Sequence, residues 1–466
     1  MTSTAEQHER RVQLVTPDLA ATRYLYAAAA WLAVGTILWT GAMAAISFPA
    51  LLPISYGRLR PMALIALGLG WLVMGLSAAW FYLLPRLTAT PLPLERPLNR
   101  FLLPANLIVA GGIVIVGLGW GDGREPFALP WWWDLPVLAL TALALGPTAL
   151  SLRHRLEGLA YPSLWFGAAG AVWLPVIYVA ANLPGLSSLA DALADFMFSS
   201  AFINVWAIGL ANAAAYYVVP KVARQPLPSR QLARVGFWSL LVGGVWTGAV
   251  QLAGGPQPDW LGAVAAVLGL ALPVSALANS TNLMLAIGPR WQSIKEEPIL
   301  LAAALGSAVI TLAALLGAIA GFRSASVMVS FTLFWEGLLT LQVAGLALLF
   351  AAFAWQAVPN LVGRKVTAVA AVPRRLLGGG MVAGLFLVLA GVITGASWAG
   401  AGFTGAFDPI GGGWGAGIGA AGIFTGLGVL AFLYLAWGLL GLAISIYRAF
   451  TSGTATEQEV LVVREP

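Results

Sequence analysis

Apolar runs of about 20 residues recur along the whole chain, each long enough to cross the hydrocarbon layer of a bilayer as a helix. A backbone inside that layer must satisfy its own N–H and C=O groups, so such a chain folds as a bundle of membrane helices. The stretch SSAFINVWAIGLANAAAYYVVPK at 199–221 is typical, uncharged until its Pro-Lys end. Twelve spans are expected, near 25–48, 62–84, 101–120, 135–152, 163–183, 196–219, 234–254, 260–288, 299–322, 326–355, 379–398 and 418–447. Charged residues make up 9% of the 466, against roughly 25% in soluble proteins. The fold class is therefore an all-α polytopic membrane protein. An N-terminal tail (1–24) and a C-terminal tail (449–466) flank a twelve-helix domain (25–448). The first 22 residues lack the apolar core of a cleavable leader, so none is expected.

Lysine and arginine sort by connection. The N-terminus, the even-numbered connections and the C-terminal tail hold 20 of the 24 basic residues, leaving Arg58, Arg60, Arg124 and Arg323 on the other side. Positive-inside bias then places both termini in the cytoplasm. The net charge of +6 is read as topology, and no nucleic-acid partner is expected. Trp120, Trp131, Trp132, Trp133 and Trp260 fall at the outer span ends, where indoles favour the membrane interface. Many of the 54 glycines lie in or beside spans, where small residues let helices approach closely. The glycine-rich stretch GAGFTGAFDPIGGGWG lacks the strand-to-helix setting of a phosphate loop and reads as a flexible connection. There is no sign of a soluble domain or an internal repeat.

The chain has no cysteine, which excludes disulfides, thiolate metal sites, iron–sulfur clusters and covalently attached haem. Its two histidines, His8 and His154, lie in a polar tail and a basic loop.

Local sequence then separates the twelve-span architectures. The segment FPALLPISYGRLRPMALIALG (48–68) resembles the entry to the second helix of cbb- and ba-type cytochrome oxidases. AAAYYVVPKVARQPLPSRQLARVGFWSLL (213–241) resembles their exit from helix six into helix seven. VWTGAVQLAGGPQPDW (245–260) and EGLLTLQVAGLALLFAAFAWQAVPNLVGRK (336–365) resemble the end of helix seven and helix ten. These pieces fall in order across nearly the whole chain, which resembles the haem-copper oxidase subunit I family, nitric oxide reductase large subunits included. The resemblance implies a subunit I-like bundle in the plasma (inner) membrane of a prokaryote.

The family's chemistry depends on imidazole, a strong neutral donor for haem iron and copper. By the resemblance, the helix-two ligand position falls at or near Ala63, and the helix-six position at Ser200 or Ala201. The helix-seven pair falls within Ala249, Val250 and Gln251, and the helix-ten pair at Leu338 and Thr340. No span contains a histidine, so no shift of register restores one. The family's tyrosine beside copper is replaced by Gly244, or by Asn204 or Val205 in another register, and the methionines are too scattered to pair as ligands. The expectation is a chain without haem or copper of its own and without oxidase catalysis.

Several polar groups remain inside spans. Glu336 is the acid placed clearly within the membrane, where an ionisable group marks a functional site unless it is neutral and hydrogen-bonded. Gln342 follows it about two turns later. Asn279 and Asn282 lie three residues apart on one face of span eight, suited to interhelical hydrogen bonds or to ion coordination. Arg58 and Arg60, the outer exceptions to the charge rule, are expected at lipid phosphates or at a partner subunit.

Three readings follow. The first is a haem- and copper-free pseudo-oxidase subunit that scaffolds a respiratory electron-transfer complex, with membrane lipids and a cupredoxin-like or cytochrome subunit as partners. Bulky Phe334, Trp335, Leu338, Leu339, Trp206 and Trp246 would then help refill the haem space. The second is a quinone- or lipid-binding subunit using Glu336 and Gln342. The third is a proton or small-solute transporter using Glu336 and the two asparagines.

Overall fold

The computed structural model describes residues 12–14, 18–50, 52–155, 161–253, 255, 257–364, 366, 371–404, 413–452 and 462–464. His8 and residues 405–412 of the glycine-rich connection lie outside them.

Eleven helices among the described residues are long and apolar enough to cross a membrane. They are α1 (Leu19–Ser47), α2 (Tyr56–Thr88), α3 (Glu95–Gly117), α4 (Trp131–Arg153), α5 (Pro162–Ala181) and α6 (Ser188–Ala223). After an interrupted seventh segment come α8 (Asp259–Ser293), α9 (Pro298–Ala320), α10 (Phe334–Val362), α11 (Ala371–Gly400) and α12 (Gly417–Thr451). The seventh expected span is present but broken: α7 (Arg230–Gly243) stops, turns through Gly244–Trp246, and resumes for one helical turn at Thr247–Val250. Close approach drives the break. A Cβ on Gly248 would sit 2.2 Å from the carbonyl oxygen of Phe196, so this stretch packs backbone to backbone on α6.

Local signals set the helix ends. Ser187 and Ser229 cap α6 and α7 by accepting from Ala190 N and Leu232 N. Pro162 and Pro298 open α5 and α9, where a missing N–H costs nothing. Gly363, at φ +66°, closes α10 in the left-handed conformation. The expected tenth span, 326–355, starts too early. Residues Arg323–Val329 form a separate short helix, and Ser330 (ψ 141°) and Phe331 (φ +59°) turn the chain before α10 begins at Phe334. Hydropathy does not register that reversal, because the turn carries no charged residue.

Two helices occupy the centre. In α2 and α10 the most apolar window is 94% buried, while the surrounding membrane-length helices are buried over only 33–61% of theirs. α10 packs on α9 and α11, and α1 on α2 and α12. Outer-ring tryptophans 120, 131 and 260 are exposed, as anchors at the bilayer surface should be. Short antiparallel strands β1 (Val12–Leu14) and β2 (Val462–Arg464) pair, which brings both terminal segments to one face.

Two segments depart from α geometry. Ile65–Val73 of α2 and Phe202–Ala207 of α6 are wound as π-helix, a widened coil concentrated at functional sites. Both contribute wall to the same interior space.

Candidate functional site

Between α2, α6 and α10 lies a cavity of about 590 Å³. Its walls are largely apolar and aromatic, with Phe127, Phe202, Trp39, Trp335 and Leu338 among them. Part of the expected refilling is present, since Trp335, Leu338 and Leu339 reach the wall. The rest is not: Phe334, Trp206 and Trp246 are packed elsewhere and the space stays open. Side-chain bulk counts only where the helix face points inward.

At the end away from the chain termini, four polar side chains meet. Arg60 of α2 turns into the bundle rather than toward lipid. Its Nε pairs with Glu336 Oε1, and its Nη1 bonds Glu125 at 2.9 Å (Oε1) and 2.7 Å (Oε2). Tyr56, at the start of α2, lines the cavity with them. The pairing has a plain cause: a lone charge at this depth is costly, and a guanidinium shared by two carboxylates is compensated. Arg58, two residues earlier, stays exposed over Gly119. Sequence reasoning missed Glu125 and Tyr56; the unexplained arginine in GRLRP was the available signal that buried acids had to lie nearby.

Deeper in, Gln342 Nε2 donates to Asn204 Oδ1 at 2.9 Å, and Asn204 Nδ2 reaches Ser200 Oγ at 3.2 Å. Ser200 bonds Gly244 O at 2.7 Å and pairs with the Thr247 hydroxyl. The chain of bonds ties α10 to α6 and to the broken seventh segment. Glu336 and Gln342 thus share one cavity. Asn279 and Asn282 do not join it. Asn279 Oδ1 accepts from the Tyr216 hydroxyl (2.7 Å) and Asn282 Oδ1 from Ser229 N (3.0 Å). Their carbonyl oxygens are occupied, and the pair fastens α8 to α6 and α7. Asp195 is buried in α6.

The residues do not fit haem or copper. Ser200, Gln251 and Leu338 line the cavity, whereas Ala63, Ala201, Val250 and Thr340 are buried off its wall. Thr340 Oγ1 is spent on Glu336 O at 2.8 Å, within its own helix. At these positions alkyl, hydroxyl and primary amide groups are not the imidazole, thiolate, thioether or phenolate donors that hold haem iron and copper, and the wall phenol of Tyr56 lies against Glu336. No methionine is among the described lining residues. Nor, among the described residues, do three or more His, Cys, Asp or Glu gather as a metal site. His154 stands in an exposed loop.

Comparisons with known proteins align with this layout. The family model described as cytochrome c and quinol oxidase polypeptide I matches residues 19–463. Cytochrome c oxidase subunit 1 of Rhodobacter capsulatus is 23% identical over 260 residues, 53% of this chain and 49% of that protein. The cbb3-type subunit CcoN1 of Stutzerimonas stutzeri is 23% identical over 257 residues, 53% of this chain and 54% of that one. The chain spans about half the length of these curated relatives. A solved heme-copper terminal oxidase dimer shares the fold, with a TM-score of 0.75 at 14% identity, over 95% of this chain and 85% of that one.

Proposed function

Because the chain belongs to the cytochrome c and quinol oxidase polypeptide I family, we propose that it is a haem- and copper-free membrane subunit that scaffolds a respiratory electron-transfer complex. The observation that carries this reading is the donor chemistry at the family's ligand positions, where alkyl, hydroxyl and amide side chains stand. A bundle that keeps the family's helices offers docking surface to a cupredoxin-like or cytochrome subunit. The sorting of basic residues supports cytoplasmic termini in the plasma (inner) membrane of a prokaryote.

Isolation from native membranes in mild detergent tests the reading. Redox subunits should accompany the chain, and any Soret absorbance should stay with them when the chain is separated. Soret absorbance that follows the separated chain, or a preparation without redox subunits, overturns it.

A second reading is favoured by the cavity itself. Its volume lies within the ~300–1,000 Å³ typical of small-molecule pockets, and apolar walls with a few convergent polar groups suit a quinone or a lipid. In that role the chain would hold the molecule and couple it to redox partners.

A further inference from the structure

We propose that the groove between α11 and α12 holds an anionic phospholipid of the leaflet on the side of the chain termini, its phosphodiester oxygens accepting from the Arg375 guanidinium stacked on Trp437. The site lies on the outer surface of the bundle and is independent of what the central cavity holds.

Arg375 differs from other arginines of the chain in how its charge is met. Arg60, Arg86, Arg124, Arg290 and Arg323 each pair with a carboxylate. Arg375 pairs with none among the described residues; its Cζ lies 3.6 Å over the ring centroid of Trp437 instead. The arginine is half-buried, and the indole is 55% exposed on the lipid-facing side of α12. An indole face attracts the cation but is no oxygen acceptor for its N–H bonds. A guanidinium held there lacks a counterion, and the exposed Arg374 beside it adds a second positive charge.

Position along the helix shows where that counterion comes from. Arg375 and the exposed Trp398 lie about 34 Å apart along α11 at 1.5 Å per residue, slightly more than the ~30 Å hydrocarbon core. With the indole at one interface, the arginine pair falls among the headgroups of the other. Gly378, one turn further along α11, lets an aromatic platform close over it. A Cβ there would lie 3.3 Å from Tyr434 Cε1, and Tyr434 meets Trp437 edge-on at 6.0 Å. Toward the bilayer centre, Val382, Leu430 and Leu433 are all exposed, an apolar track for an acyl chain.

The chemistry selects the headgroup. A phosphodiester presents charged oxygens that a guanidinium edge binds bidentately. A zwitterionic headgroup brings an ammonium as well, and no described acid pairs with these two arginines to receive it. An acidic side chain from a neighbouring helix would have to displace phosphates that are present at this level throughout the membrane.

The test uses the full chain with its accompanying subunits, delipidated by detergent exchange and titrated with palmitoyl-oleoyl phosphatidylglycerol or its phosphatidylcholine counterpart under native mass spectrometry. The first phosphatidylglycerol should bind about tenfold tighter than the first phosphatidylcholine. Arg375→Gln should remove most of that preference and Trp437→Leu about threefold of it, while Lys295→Gln, an exposed cation on the same side of the bundle, should leave it unchanged. Equal affinities for the two lipids overturn the proposal, as does a preference that survives Arg375→Gln or falls equally in Lys295→Gln. Cryo-electron microscopy of the unsubstituted protein in phosphatidylglycerol nanodiscs decides the matter even if the variants do not fold. Headgroup density within hydrogen-bond distance of Arg375 is expected; an empty groove, or a protein helix seated in it, overturns the assignment.

Discussion

Gln342 on α10 donates its amide to Asn204 Oδ1 on α6 across 2.9 Å, bridging the two helices beside the central cavity. Asn204 passes the connection on to Ser200, so its loss strands two partners, whereas loss of Gln342 strands one. Interhelical hydrogen bonds in membranes are worth about 0.6 kcal/mol on average and up to about 1.7. Gln342→Leu should cost about 0.5–1 kcal/mol and Asn204→Leu about 1–2 kcal/mol. Unfolding in mixed detergent micelles measures both, and the reverse order would refute the chain of bonds.

The Arg60 cluster should be asymmetric. Removing Arg60 leaves Glu336 and Glu125 facing each other beneath the surface, and breaking a buried pair in this way costs about 3–5 kcal/mol. Glu125, at 37% side-chain exposure, should be the cheapest member to neutralise. Thermal unfolding is expected to rank Arg60→Ala as most damaging, then Glu336→Ala, with Glu125→Gln mildest. Equal effects at Arg60 and Arg58 would show that Arg60 faces outward after all.

Space for Asn279 is provided by Gly236. A Cβ at that position would lie 2.2 Å from Asn279 Oδ1, at the core of the contact between α7 and α8. Gly236→Val should therefore destabilise by more than about 2 kcal/mol, through overpacking and the broken Tyr216–Asn279 bond. Because both substitutions act at one contact, Asn279→Ala in the same chain should recover part of the loss. A double-mutant cycle with additive terms would contradict this packing.

Topology can be read without background, since the chain has no cysteine. Asp122 and Arg155 are both exposed, in connections at opposite ends of the bundle. With cytoplasmic termini, Asp122→Cys should react with an impermeant maleimide in spheroplasts, and Arg155→Cys only after the membrane is opened. The opposite pattern would invert the orientation.

Much of this architecture is legible in the sequence because bilayer thickness converts directly into run length. Eleven spans follow from that alone, and Glu336 stands out as an acid inside one of them. The departures share a cause. Gly244–Trp246 and Ser330–Leu333 are turns without a charged residue, invisible to hydropathy because what changes is the backbone dihedral. Arg60 was read as a surface charge because its loop address says nothing of the direction its side chain takes. Glu125 lies 65 residues away in sequence, and only the packing of α2 against that loop brings the two together. The cavity is the same lesson in volume: Trp206 and Trp246 are bulky, but the backbone directs them elsewhere.

The widened coil between Ile65 and Val73 has a consequence for how α2 is built. Each such widening inserts a residue relative to the regular repeat, swinging everything beyond it by about 100° around the axis. The rotational phase that aims Arg60 at Glu336 is thereby offset from the phase that buries Trp80 nearer the other end of the rod. Losing one residue from that stretch would re-time the two halves, so the spacing between them is as much a part of the design as the side chains it carries.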